Sequence, residues 1–171
     1  MTKATLPMIA VLAAVALAQN AAAQTPANAA PAPAARGPAL ELAIEAARVA
    51  IDTCAALEQK VSVSVVDSAG VLKLLLATDG ALPRGVASST SKARTALAFK
   101  AATSQLGEQA KTDKELADKV AADTNYNIRA GGLPLTVNNE VIGAIGVGGA
   151  RGSEKDEACA LAGIQKIQGR L

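Results

Sequence analysis

The chain has 171 residues, half of them hydrophobic, and its 17 basic against 15 acidic side chains give a net charge of +2. It contains no histidine, no tryptophan, and a single tyrosine and a single phenylalanine. Those absences remove the usual general base, the commonest metal ligand and the Ser-His and Cys-His pairings of nucleophilic catalysis. They also remove any aromatic platform for stacking bases or sugars.

Lys3 gives a short positive start, and Met8 to Ala18 form an apolar run too short to span a bilayer. Ala16-Leu17-Ala18 and Ala21-Ala22-Ala23 both offer an A-x-A-like cleavage site, so residues 1–23 read as a secretory signal cut near Ala18 or Ala23. The expected destination is the periplasm or the exterior, with no membrane attachment after cleavage. Residues 24–38 are rich in Ala and Pro and nearly uncharged, a disordered or polyproline-like leader. The folded part is then 39–171, one domain by length. Without Lys3, 16 basic face 15 acidic residues, a balance of +1 that gives no reason to expect nucleic acid or an anionic membrane as partner.

In the first predicted helix Leu40, Ile44, Ala47, Ile51 and Cys54 form an apolar stripe. Val61, Val63 and Val65 then alternate with Ser62, Ser64 and Val66 as a half-buried strand. Asp67-Ser68-Ala69-Gly70 is a turn with glycine available for the left-handed position, and Val71 to Leu76 return as a more apolar strand. A loop from Ala77 to Gly85 carries Asp79, Gly80, Pro83 and Arg84. A helix is predicted from Ser88 to Thr103, and another from Thr112, where Glu115 completes a capping box. Asp123 to Ala130 is polar loop holding Tyr126.

Residues 131–149 form a glycine-rich hairpin around Asn138-Asn139, a pair that tolerates the positive φ of a two-residue turn. Val141, Gly143, Ile145 and Val147 should point one way, and Ile142, Ala144, Gly146 and Gly148 the other. Glycine at that density implies close approach to the backbone. Ser153 can cap the last helix, with Glu154, Asp156 and Glu157 at its positive end and a stripe of Ala158, Leu161 and Ala162 bordered by Cys159. The order α-ββ-α-α-ββ-α with hairpin links argues for an α+β domain, an antiparallel sheet covered by helices.

Cys54 and Cys159 fall in the first and last predicted helices. In an exported chain such a pair invites a disulfide, worth about 4–5 kcal/mol in the chain-entropy model. The plainer alternative is two buried small hydrophobes that never meet. The glycine runs resemble fragments of a phosphate-binding fingerprint, but they lie inside a hairpin strand, whereas a dinucleotide fingerprint needs a glycine turn between strand and helix of a parallel βαβ unit.

Several blocks together resemble the GlcG/HbpS-like family, which includes the C-terminal domain of PduO-type proteins. They are Val65-Val66-Asp67-Ser68-Ala69-Gly70, Thr78-Asp79-Gly80-Ala81, Ser91-Lys92-Ala93-Arg94-Thr95-Ala96, Gly131-Gly132-Leu133-Pro134-Leu135, Ile142-Gly143-Ala144-Ile145-Gly146-Val147 and Glu154-Lys155-Asp156-Glu157-Ala158. The resemblance spans residues 40–171. It implies about five antiparallel strands, terminal helices on one face, assembly into a homo-oligomer, and haem binding, which some members show. This chain departs from the family in having Val147-Gly148-Gly149 where Val-Ser-Gly is common, and Asn138-Asn139 where Asp-Gly is common. Members that ligate haem through histidine cannot be followed; Tyr126 is the only phenolate on offer.

The candidate ligand-binding residues are Asp79, Arg84, Lys92, Thr95, Tyr126, Gly131, Gly132 and Pro134. In this reading Asp79, Arg84 and Lys92 flank a cleft near Gly131-Gly132 and grip a small carboxylated molecule, a haem propionate included. The plainer alternative makes them surface charges on a solvated face. Two functions follow: a non-catalytic exported binding protein for haem or another small ligand, or an auxiliary enzyme of hydroxy-acid or alcohol catabolism in which Asp79, Lys92 or Arg84 handles protons without metal or histidine. The composition favours binding.

Overall fold

Residues 34–171 are described by a computed structural model; the predicted signal sequence and most of the leader lie outside them. Residues 36–38, the end of the Ala/Pro-rich stretch, run beside the first strand turn: Arg36 N–H donates to Ser68 Oγ, Ser68 N–H to the Arg36 carbonyl, and Lys73 Nζ to the Pro38 carbonyl.

Helix α1 (Leu40–Ala55) leads into β1 (Ser62–Asp67) and β2 (Leu72–Ala77), then α2 (Pro83–Phe99), α3 (Thr103–Gln109) and α4 (Lys114–Ala121). The hairpin β3 (Gly132–Val137) and β4 (Glu140–Gly148) and helix α5 (Ser153–Ile167) complete the domain. The sheet order is β2-β1-β4-β3, with every pairing antiparallel. This is the expected α+β architecture, with four strands rather than about five. Both predicted turns form as read: Gly70 has φ of 76°, and Asn138 and Asn139 have φ of 48° and 64°.

The sheet is covered on both faces. Helices α1 and α5 pack together on one, over Val63, Val65, Ile145, Val147 and Leu135, and α2 lies on the other. Burial of both faces explains why Ser62 and Ser64 are not solvated. Ser64 Oγ is hydrogen-bonded to Ser89 and Thr90 of α2, at 2.9 and 3.0 Å.

Several boundaries differ from the sequence reading. Helix α2 starts at Pro83, five residues before the expected Ser88, because proline without an N–H suits the first helical turn. It ends where Lys100 turns left-handed at φ 53°, and Thr103 opens α3, a helix absent from the prediction. Asp113, not Thr112, caps α4 by accepting the Leu116 N–H, and Ser153 makes no side-chain cap on α5. The apolar stripes are rotated as well. Leu40 and Leu161 are exposed, while the α1–α5 contact uses Ala43, Ala46, Ala47, Ala50, Ala160, Gly163 and Ile164. Small residues win that seam because they let two helix backbones come close, which wider leucines would prevent. Cys54 and Cys159 lie within it, with Cα atoms 5.6 Å apart, joined in a disulfide.

On β4 a bulge opposite Leu135 and Thr136 shifts the register, with Leu135 facing Gly143 and Thr136 facing Val141. Ile142 therefore joins Ile145 and Val147 against α1 and α5 instead of siding with Ala144. Gly146 faces α2 so closely that a Cβ there would collide with the Ser89 carbonyl and sit 2.6 Å from the Ala93 nitrogen. Gly146→Val is therefore expected to lower stability by about 1–3 kcal/mol through overpacking. Gly169→Ala, which meets nothing within 4 Å, should leave the urea midpoint unmoved.

Candidate functional site

Lys92 lies in the middle of α2, where its long side chain passes down to the sheet instead of out to water. Only 1% of the residue is exposed. A buried ammonium needs partners, and it has two: Nζ donates to Asp156 Oδ2 at 2.7 Å and to the Val147 carbonyl at 3.0 Å. Asp156 is itself 3% exposed and reaches in from the first turn of α5. Its other oxygen accepts the Ala150 N–H at 3.0 Å, which ties the β4–α5 loop to the same pair. Burial pushes the Lys92 ammonium below its ordinary range, and its hydrogen bond to Asp156 opposes that shift without cancelling it.

The backbone beside the pair leaves no room for a side chain. Gly131 has φ of 122°, and a Cβ on it would lie 2.8 Å from Asp156 Cβ and 2.9 Å from Lys92 Nζ. The next residue, Gly132, gives its N–H to Thr103 Oγ1 at 2.9 Å, and Thr103 donates to the Arg129 carbonyl at 2.8 Å. Gly131 N–H donates to Glu157 Oε2 at 3.1 Å. These bonds fix the segment that carries Arg129 against α3 and α5.

Lys92 and Asp156 form part of the floor of a cleft of about 390 Å³. Arg84 from the start of α2, Arg129 from the loop before β3 and Arg151 from the loop before α5 converge on it, with Ser88, Asn127 and Ser153 between them. None of the three guanidinium groups has a carboxylate partner among the described residues. Asp156 is the one acid in the lining, and it is already committed to Lys92. The N-terminus of α5 adds its positive dipole end at Ser153. The cleft thus presents a surplus of positive charge and hydrogen-bond donors. Arg84, Gly149 and Arg151 also line an adjoining hollow of about 460 Å³ that includes Lys60.

The structure brings together some of the residues singled out from sequence and separates others. Arg84 and Lys92 line the cleft, and Gly131 and Gly132 lie directly behind it. Thr95 is buried and structural in its contacts, donating to the Ser91 carbonyl and accepting the Asn127 N–H. Pro134 sits within β3, opposite Ala144. Asp79 is exposed in the loop before α2 and contributes to neither hollow. Tyr126 stands elsewhere, edge-on to Phe99 with ring centroids 5.1 Å apart, beside a separate hollow with Arg94 and Leu97. Sequence reasoning missed Arg129, Arg151 and Asn127, which belong to loops with no periodicity, and took Asp156 only as a dipole partner. The one signal available for Asp156 was a lysine among alanines on α2, which needs a buried acid somewhere.

The model of the family described as haem degrading protein HbpS-like matches residues 39–165. Among solved structures, a glutamate-to-aspartate double mutant of HbpS from Streptomyces reticuli is 33% identical, covering 86% of this chain and 98% of its own, with a TM-score of 0.72. Protein ORFY from Klebsiella pneumoniae is 25% identical over 82% of this chain and 97% of its own, at a TM-score of 0.73. A PduOC–haem complex is 25% identical over 77% and 95%, at 0.70. No curated protein matches. With the family model spanning nearly the whole described region and HbpS matching at 33% identity and a TM-score of 0.72, the chain belongs to the HbpS-like family.

Proposed function

We propose that this protein is an exported, non-catalytic binding protein that holds a small carboxylate-bearing ligand in the Arg84–Arg129–Arg151 cleft. The observation that carries the reading is the convergence of three guanidinium groups without carboxylate partners on one cleft floored by a buried ammonium. Arginine favours carboxylates because its planar fork makes paired hydrogen bonds to both oxygens. Export is supported by the signal-like start of the chain and by the Cys54–Cys159 disulfide, since such bonds persist in oxidising compartments. Assembly into a homo-oligomer is supported by the exposed Val71 and Leu72 at the β2 edge.

Haem enters through its carboxylates. The relative solved as a haem complex makes it a natural candidate, and the residues here fit its propionate edge. They offer iron neither an imidazole nor a phenolate in the cleft: the chain has no histidine, and Tyr126 stands apart with Phe99. Haemin is therefore expected to bind through its periphery, with a Soret band shifted less than a protein-ligated iron would give.

Titration with haemin, followed by absorption, and with succinate, followed by calorimetry, tests this. Removing one charged hydrogen bond costs about 1.5–3 kcal/mol, or roughly tenfold or more in affinity. The Arg84→Gln, Arg129→Gln, Arg151→Gln triple variant should bind both ligands at least tenfold more weakly, and added salt should weaken the wild type. Unchanged binding in the triple variant would overturn the reading. So would loss of the haemin response in Tyr126→Phe alone, which would move the site to the Phe99–Tyr126 hollow.

A further inference from the structure

We propose that Lys92 is a carbonyl-reactive amine that captures a small 2-oxo acid as a reversible imine in this cleft. The inference rests on the cleft reading above and deepens it by naming the ligand's second functional group.

Three features single out this lysine. It is almost wholly buried and still belongs to the lining of the cleft, which is therefore the side from which a small ligand would approach its nitrogen. Its ammonium uses two of three donor positions, on Asp156 and Val147, leaving one without a protein partner. Burial lowers its affinity for the proton, which favours the neutral amine that attacks a carbonyl. Asp156, 2.7 Å away, is placed to take the ammonium proton and return it. The guanidinium groups of Arg84, Arg129 and Arg151 would hold the carboxylate next to the carbonyl carbon. A carbonyl compound without a carboxylate lacks that anchor.

The step balances without an oxidant or a cofactor. Lys92 passes one proton to the Asp156 carboxylate, and the freed nitrogen pair forms a bond to the carbonyl carbon as the C=O π pair moves to oxygen. A proton shifts from nitrogen to that oxygen, giving a carbinolamine. Asp156 returns its proton to the hydroxyl, the C–O bond breaks, water leaves, and the nitrogen pair closes a protonated C=N bond. The sum is one ammonium and one carbonyl giving one iminium and one water.

Borohydride trapping of the full chain with pyruvate tests the idea, read by intact mass and peptide mapping. The expected result is an added mass of pyruvic acid less one oxygen, confined to the peptide containing Lys92. Acetone, a ketone with no carboxylate, should label it at least tenfold less. Lys92→Met should lose the label. Should that variant not fold, Arg84→Gln with Arg151→Gln, checked for unchanged circular dichroism, must lower labelling at least tenfold. Labelling only at exposed lysines such as Lys60 and Lys100, or labelling indifferent to the carboxylate, would overturn the proposal. Succinate has no ketone and separates the two readings. If it binds and pyruvate is not trapped, the imine is refuted while the anion cleft stands; if neither occurs, both fall.

Discussion

Reducing the Cys54–Cys159 bond is expected to destabilise the domain by about 4–5 kcal/mol, a large part of the stability of a domain this size. The bond spans a sequence separation of 105, so it removes much of the freedom of the unfolded chain. The native cost of losing it should be small. Cys54 and Cys159 are fully buried in a seam already filled by Ala47, Ala50 and Ala160, where two free thiols behave as small apolar groups, whereas two serines bury hydroxyls in apolar surroundings. Urea unfolding with and without reductant, beside the Cys54→Ser, Cys159→Ser double variant, measures the effect. The serine variant should lose more than reduction alone, by the cost of its two buried hydroxyls. A loss below about 1 kcal/mol would mean that the reduced unfolded chain stays compact enough for the cross-link to matter little.

Asp156→Ala is the second large effect, expected to cost about 3–5 kcal/mol. The removed carboxylate leaves the Lys92 ammonium buried without its charge partner and the Ala150 N–H without its acceptor. Lys92→Met strands the opposite charge and should cost a similar amount. The informative measurement is the pair. Replacing both by apolar residues of like shape, Lys92→Met with Asp156→Leu, should be far less damaging than the two single losses added together, because no buried charge is left unpaired. If the double change simply sums the singles, the two groups are not energetically coupled, and the ion pair is a poor description of them. Binding of succinate should fall in all three variants, which separates the site's function from its contribution to stability.

What could be read from the sequence followed the strength of the local signal. Asn138-Asn139 between apolar runs admits few conformations, so the hairpin and its turn were legible, and so was the alternation at Val61 to Val66. The phase of the terminal helices was not. A stripe drawn through Leu40, Ile44 and Leu161 assumes that the largest side chains mark the core, and here alanines and Gly163 hold it because the helices approach so closely. Tertiary contact, not hydrophobicity, chose that face. The cleft was half legible for a similar reason. Lys92 was read as a helix residue within a family block and Arg84 as a charge in the loop before that helix, both candidates for lining a cleft. Arg129 and Arg151 sit in loops where an arginine is unremarked, and only the fold brings them within reach of one ligand. Tyr126 drew attention because it is the chain's only phenol, and rarity alone does not place a residue at a site.

The strand order carries a kinetic consequence. Each hairpin contributes one edge strand and one central strand, so the two halves of the sheet meet only where β1 pairs with β4. Each hairpin closes over a short loop, whereas that seam joins segments separated by β2, three helices and β3, and loop-closure entropy must be met before any of its contacts form. Folding should therefore be slow at the docking of two preformed hairpins. Substitutions along Val63 to Val66 and Ala144 to Val147 would change the folding rate, while those in the α1–α5 seam would be felt mainly in the rate of unfolding.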